Sequence, residues 1–497
     1  MKLTVLFFSI FFLHVFPQPG ERRVFSQVKF VDKVRGGWAG QYFGTAIIPQ
    51  PPVFASIDSI SPADIGSIFP SQVDHEQVML HLYPDLLLLS VLDEGGREFE
   101  QQYSEKLQSS DFLAGHAMQT AAYNLRHGMT TRSSGRWVNN PHAEDADFAK
   151  AADVIGLLSP GMSRTLLKIA DPVGHVTTAG EGYYGGVYIA ALNSFAFIHQ
   201  TPEAIVKDAL RTLPEKSDYR KCLEDVVSQT KKHRTQWMKN WNYIATEWKK
   251  HTGCPMNPSS IETDARMYTA FATLLFLAGD GDLYKTLDVA RVFPDSHQVL
   301  PTVLGLLGTM NGLESFPPEW KLHFDSVADI RFHGSLPTLN EACDLSVKNV
   351  LKTIEANGGK KKLNGDIIIR LQHPSSHGLE RGFEGHYISI EKTINTRMDD
   401  QFEFEFEGIG FVLDADSVSM SGLEDTAYAE LYLNNKYIDR IAISRIRSQS
   451  ASDLCWKLQL PYKKYHGKLK LVKSDKAPSL MITNLVVYDV MPLVSEQ

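Results

Sequence analysis

Cysteine is scarce: four residues in 497, Cys222, Cys254, Cys343 and Cys455, lie far apart. No Cys-x-x-Cys pair and no zinc-type spacing of cysteine with histidine occurs, which excludes a cysteine-built zinc module. Four cysteines allow three complete disulfide pairings in an oxidising compartment, and the spacing selects none of them. The sequence also lacks an Asn-x-Ser/Thr acceptor, because the proline of Asn257-Pro258-Ser259 disqualifies the one candidate. Basic runs are missing and the net charge is -8, so a nucleic-acid backbone is excluded as the main partner. After residue 16 no apolar run reaches the roughly 20 residues a bilayer span requires.

What is present begins with Met1-Lys2, an apolar run Leu3 to Phe16 and a Pro/Gln/Gly break at Pro17–Gly20. That layout reads as a secretory signal peptide over residues 1–20, implying a secreted protein with no membrane association after its removal. The chain is longer than one hydrophobic core usually supports, so two domains are expected. Its hydrophobic share of 43% and charged share of 22% are those of an ordinary globular protein.

Val31 to Ala46 has a helical pattern, with Gly36, Gly40 and Gly44 on one face. Glycine weakens a helix, so such a stripe predicts close approach of another helix, with ligand contact as the alternative. Helical patterns continue over Leu80–Leu92, Ala114–Arg126, from Thr201-Pro202 with a capping threonine, over Tyr219–Lys250, Ile261–Ala278 and Val299–Gly312. The tryptophans of Tyr219–Lys250, namely Trp237, Trp241 and Trp248, are expected to face the core. Gly279-Asp280-Gly281-Asp282 reads as a turn, with too few oxygen ligands for calcium. Between Asn139 and Phe197 lie two acid-bearing segments. In His142 to Phe148, Asp145 and Asp147 stand at a helix start. Gly180 to Gly186 reads as a glycine-rich turn whose backbone N–H groups cradle a ligand.

The period changes late in the chain. Gly358-Gly359-Lys360-Lys361-Lys362 reads as an exposed linker, and from Asp366 the pattern alternates. Phe402 to Glu407 is a half-buried strand in strict alternation, Asn434-Asn435-Lys436 marks a tight hairpin, and further strands fall near Leu454–Leu460, Lys468–Val472 and Leu485–Tyr488. The expected organisation is an all-α domain over 27–345, a linker over 346–364 and an antiparallel β-sandwich over 365–493.

From about Phe30 to Gly312 the sequence resembles the ADP-ribosylglycohydrolase family, which includes dinitrogenase reductase-activating glycohydrolase. The motifs that carry the resemblance are Arg35 to Gln41, His142 to Asp147, Ser159-Pro160-Gly161, Gly174-His175-Val176 and Gly180 to Gly186. Gly279 to Asp282 with Thr286, then Asp295-Ser296 with Gly305 to Met310, continue it in the same order. The C-terminal part resembles the galactose-binding-like β-domains attached to such proteins. The resemblance implies an all-α fold holding divalent metal, Mg²⁺ or Mn²⁺, and hydrolysis of the N- or O-glycosidic bond between ADP-ribose and a protein side chain, with a metal-activated water. An ADP-ribosylated protein or an ADP-ribose-like small molecule is the implied partner, with a carbohydrate as candidate ligand of the β-sandwich.

The implied ligand positions depart from the family pattern. Its Thr-Asp-Asp-Thr aligns with Val73-Asp74-His75-Glu76, its later Asp-x-Asp with Asp295-Ser296-His297, and an early glutamate falls in the acid-free Pro49–Val53. The resemblance makes Asp74, Glu76 and Asp295 the candidate catalytic residues and Asp74, His75, Glu76, Asp295 and His297 the candidate metal ligands. The two histidines favour one borderline ion such as Zn²⁺ over a magnesium pair. Asp145, Asp147, Glu181, Gly182, Tyr183, Tyr184, Gly185 and Gly186 are the candidate ligand contacts. A second reading has the metal lost and the protein a non-catalytic binder of ADP-ribose-like or carbohydrate ligands. A third makes the β-sandwich the functional part.

Overall fold

The computed structural model describes residues 21–488 apart from 48–74, 95–98, 111, 249–263, 294–295, 377–378, 380–387, 420–426, 444–452 and 473–478. The first and largest unit is helical and runs to Ala356, further than its sequence pattern indicates. At its centre the helix Gln27–Ile47 lies along Ser296–Asn311. The glycine stripe explains how close they come. A Cβ on Gly36 would overlap the Gly308 carbonyl, one on Gly40 the Leu304 carbonyl, and one on Gly44 the backbone of Pro301. The stripe is therefore a packing device. Lys33, buried on the same helix, donates to the carbonyls of Ala196 and Thr309, capping the C-terminal ends of two helices. Burial holds its ammonium well below the ordinary lysine value, at about 7.

Several local expectations change. Residues 219–250 form two helices, Asp218–Lys232 and Trp237–Trp248, although Trp237, Trp241 and Trp248 do pack against the core as expected. Thr201 occupies the N-cap of Pro202–Leu210 but its hydroxyl makes no capping bond. Residues 346–356, expected in the linker, belong to the helix Leu339–Ala356, which starts with a Thr338–Glu341 capping box and buries Cys343, Val350 and Ile354. Lys360–Lys361 (β2) then pairs with Ile367–Arg370 (β3), and β3 pairs with Arg22–Phe25 (β1). This small sheet belongs to the helical unit, since Ile367 and Ile369 join its core.

The second unit consists of two four-stranded antiparallel sheets. Ile388–Met398 (β4), Gly410–Ser419 (β6), Asp453–Lys457 (β9) and Ser479–Tyr488 (β11) form one, in the order β4-β11-β6-β9. Gln401–Gly408 (β5), Ala427–Leu433 (β7), Lys436–Ile443 (β8) and Lys463–Leu471 (β10) form the other, in the order β5-β10-β7-β8. Phe404 and Phe406 of β5 and Leu431 of β7 share one core with Phe411, Leu413 and Ile482 of the opposite sheet. In β5 the glutamates alternate outward. The β7–β8 hairpin turns on Asn434 and Asn435, both left-handed (φ 51° and 63°), a conformation that asparagine tolerates. Cys222, Cys343 and Cys455 are buried. Among the described residues no helix is long and apolar enough to cross a membrane.

Candidate functional site

Among the described residues, three clusters of buried ionisable groups are built on the helical unit. The first is built on the loop before the short helix Asp147–Ala151. Asn140 pins this loop, donating to the Ala117 and Thr177 carbonyls (3.0 and 3.1 Å) and accepting from the His142 N–H (2.9 Å). His142 is thereby held between two carboxylates, with Nδ1 2.8 Å from Asp145 Oδ2 and Nε2 2.6 Å from Asp453 Oδ2. With both carboxylates ionised, both ring nitrogens donate and the ring is an imidazolium. Burial alone would lower its pKa; the charges of Asp453 and Asp145 overcome that and hold it well above the ordinary histidine value. His116, at the start of His116–Arg126, brings its Nδ1 to 3.4 Å from the same Asp145 oxygen. Asp147 accepts from the Met118 N–H (3.0 Å) and satisfies a donor in the first turn of that helix. Asp453 belongs to β9, so the β-unit completes this cluster.

Around it the two units touch at further polar points. Tyr123 donates to Asp439 (2.7 Å) and its ring meets Trp456 edge-on, while Gln459 donates to the Val138 carbonyl (3.0 Å) and to Asn139 Oδ1 (2.9 Å).

The second cluster surrounds Arg266. Its guanidinium forms a two-pronged pair with Glu181, through Nε (2.7 Å) to Oε2 and through Nη2 to Oε1. Asp264 caps the helix Ala265–Gly279, accepting from the Arg266 and Met267 N–H groups. Burial raises Asp264 to about 6 in spite of the nearby guanidinium. Glu144 accepts from the Glu181 N–H (3.2 Å), and burial followed by repulsion from Glu181 pushes it well above the usual carboxylate range.

The third cluster is a pair of carboxylates in the middle of the helical core. Asp85 Oδ1 accepts from the Val154 N–H (3.0 Å), and Asp153 Oδ1 accepts from Asn193 Nδ2 (2.8 Å). Both are fully buried. Burial, then the neighbouring Asp153, drives Asp85 well above its ordinary value, and burial raises Asp153 to about 7. Such a pair holds at least one proton at neutral pH.

A sequence profile of the ADP-ribosylglycohydrolase family matches residues 26–344, almost the whole helical unit. The chain belongs to the ADP-ribosylglycohydrolase family. Comparison with curated proteins finds no match. Among solved structures, one described as an ADP-ribosylglycohydrolase-related protein complex aligns at 16% identity and a TM-score of 0.42, covering 65% of this chain and 97% of that one. A family GH115 4-O-methyl-α-glucuronidase aligns at 11% identity and a TM-score of 0.17, covering 67% and 42%.

Within this family member, the candidate residues fall in different places. Asp74 and Asp295 lie outside the described residues, each immediately before a helix: His75–Glu94 in one case, Ser296–Asn311 in the other. His75 and Glu76 form the first turn of the former. His297 lies in the first turn of the latter, its Nε2 2.9 Å from Gln298 Nε2, from which it accepts. Gln27–Ile47 packs against both helices. As a donor set, three carboxylates and two imidazoles fit a borderline ion better than the all-oxygen shell that Mg²⁺ demands.

The expected ligand cradle takes a different form. Gly180 to Gly186 is the start of the helix Gly180–Ala196, not a turn. The first N–H groups are already used, Ala179 N on the Ala143 carbonyl and Glu181 N on Glu144. A Cβ on Gly182 would overlap the Ala143 carbonyl, and one on Gly186 the Phe148 ring, so these glycines admit neighbouring protein where a ligand was expected. Gly185 is buried beside Ala265. Tyr183 stacks on His175 (centroids 4.0 Å apart) and Tyr184 meets Tyr219 edge-on, both buried. Glu181 is committed to Arg266, Asp145 to the two histidines, and Asp147 to the helix start. His116, Asp453, Arg266, Asp85 and Asp153 carried no motif in the sequence; only tertiary contact reveals them.

Proposed function

We propose that the protein is a glycosidic-bond hydrolase of the ADP-ribosylglycohydrolase type, cleaving an ADP-ribosyl or related N- or O-glycosidic bond. The observation that carries this reading is the family match over residues 26–344. The substrate class that follows is an ADP-ribosylated protein or an ADP-ribose-like small molecule. The acids assigned to the chemistry are Asp74, Glu76 and Asp295; in sequence Asp74 and Asp295 immediately precede the helices His75–Glu94, which contains Glu76, and Ser296–Asn311, and both helices pack on Gln27–Ile47. Helix N-termini there would attract the anionic diphosphate.

A carboxylate of this set takes a proton from water as the water oxygen attacks the anomeric carbon. The bond to the side-chain nitrogen or oxygen breaks, and the departing atom takes the electron pair and a proton. A bound divalent ion, held by Asp74, Asp295, Glu76, His75 and His297, would supply polarisation of the ribose hydroxyls and of the water. The same reading takes the chain as secreted after loss of residues 1–20, and the β-unit as a galactose-binding-like module for carbohydrate.

A second reading, an inactive relative that binds the same ligand, is favoured by the histidines at 75 and 297 and by the commitment of Glu181 to Arg266. Release of ADP-ribose from ADP-ribosylated protein, with and without Mg²⁺, Mn²⁺ or Zn²⁺, separates the two. Hydrolysis abolished by Asp74→Ala and by Asp295→Ala supports the enzyme. Calorimetric binding of ADP-ribose without turnover under any metal supports the binder, and rates unchanged in both variants overturn the assignment of these acids.

A further inference from the structure

We propose a second metal site that shares no residue with the Asp74, His75, Glu76, Asp295 and His297 set, in which His116, His142 and Asp145 bind one divalent cation of the zinc class and Asp453 of the β-unit orients His142 from behind. Among the described residues these three form the one group of at least three histidine, cysteine or acidic side chains whose ligand atoms converge, all lying within 4.8 Å of one another. A tetrahedral zinc site separates its nitrogen and oxygen donors by roughly 3.3 Å. The His142 Nδ1–Asp145 and His116 Nδ1–Asp145 separations of 2.8 and 3.4 Å straddle that value. The two imidazole rings lie close together, centroids 4.9 Å apart and planes tilted by 45°. Two imidazoles and one carboxylate form a borderline donor set, which selects zinc over magnesium or calcium.

The arrangement behind His142 strengthens this assignment. A metal-bound histidine donates its second ring N–H to a carboxylate that fixes the tautomer and the ring plane. His142 has that partner in Asp453, 2.6 Å from Nε2, on the far side of the ring from Asp145. On binding, the ion replaces the proton that Nδ1 donates to Asp145, and the Nε2–H bond to Asp453 stays. His142 and Asp145 are almost fully buried, whereas the His116 side chain is 25% exposed, so the ion enters from the His116 side. Because Asp453 comes from β9, the β-unit takes part in orienting this ligand. Tyr123–Asp439 and Gln459–Asn139 lie in the same interface.

The test uses the full chain, stripped with chelator and titrated with Zn²⁺ by calorimetry, and with Co²⁺ read by its visible absorption. His116→Ala is the main variant, since its partly exposed site tolerates truncation, and circular dichroism checks its fold. The expected result is one equivalent of Zn²⁺ lost and the tetrahedral Co²⁺ spectrum gone in His116→Ala. Asp453→Asn should weaken the same equivalent by about 10- to 100-fold, as loss of a partner behind a ligand does. Zinc stoichiometry unchanged by His116→Ala, or no zinc bound by the wild-type chain, overturns the proposal. Affinity unmoved by Asp453→Asn overturns the part played by the β-unit. His116→Ala and Asp453→Asn leave every residue of the Asp74, His75, Glu76, Asp295 and His297 set in place, so failure of the catalytic reading and failure of this site give different outcomes.

Discussion

Asp153 offers the sharpest test of the buried electrostatics. Its carboxyl has a pKa of about 7 in the folded protein against 3.8 for the ordinary group. Between those values the native state binds a proton that the unfolded chain releases, so stability falls as pH rises. The contribution is fully present below about pH 4 and is lost as pH passes through about 7. A separation of that size corresponds to a loss on the order of 4 kcal/mol across the window. Asp153→Asn keeps a carbonyl oxygen for Asn193 Nδ2 and cannot ionise. It also removes the charge that repels Asp85. Urea unfolding followed by far-UV circular dichroism from pH 5 to pH 8.5 should show the wild type losing stability over this range and the variant losing markedly less. The curves should therefore converge at acid pH and part toward alkaline pH. Two parallel curves would refute the reasoning, because they would mean that Asp153 titrates alike in the folded and unfolded chains.

Gly40→Ala on an exposed helix would gain up to about 1 kcal/mol. Here the new methyl overlaps the Leu304 carbonyl, and a net loss of about 1–3 kcal/mol is expected from denaturant midpoints. Arg266→Met leaves Glu181 buried without its cation and should cost about 3–5 kcal/mol, with part of the loss recovered on adding Glu181→Gln. A double-mutant cycle in urea reads that coupling. Thr338→Ala removes the cap of Leu339–Ala356 and should lower stability by about 1 kcal/mol, seen as a drop in the thermal midpoint.

What was legible in the sequence depended on how local its cause was. The stripe Gly36, Gly40, Gly44 could be read as a close-packed face because its period is that of one helix; its partner, Ser296–Asn311, is visible only in the structure. The alternation of Phe402 to Glu407 and the asparagine pair at 434–435 were legible for the same reason. Gly180 to Gly186 was not, since a dense run of glycine looks locally like a turn. Phe148 and the Ala143 carbonyl, more than thirty residues earlier in the chain, are what require the small residues. The break after Lys232 carries neither proline nor glycine, so nothing local announces it. Residues 346–356 of Leu339–Ala356 looked like the edge of a linker because the outer face there carries Lys348, Lys352 and Glu355. Its apolar face and capping box settle the matter once both are in view. The pairing of His142 with Asp453 spans 311 positions and two folding units, a distance over which spacing in the sequence carries no signal.

The small sheet at the edge of the helical unit bears on how the protein is made. Strand β1, at Arg22–Phe25, finds its partner only at Ile367–Arg370, about 350 residues later. At an elongation rate of about 5–20 residues per second, the opening segment waits on the order of half a minute for that partner to be synthesised. The helices between can assemble in the meantime, but the strand that joins the two ends of the unit cannot be laid down until nearly three-quarters of the chain exists. A nascent chain halted before residue 367 would therefore expose an unpaired strand edge, the kind of surface that chaperones hold and aggregates recruit.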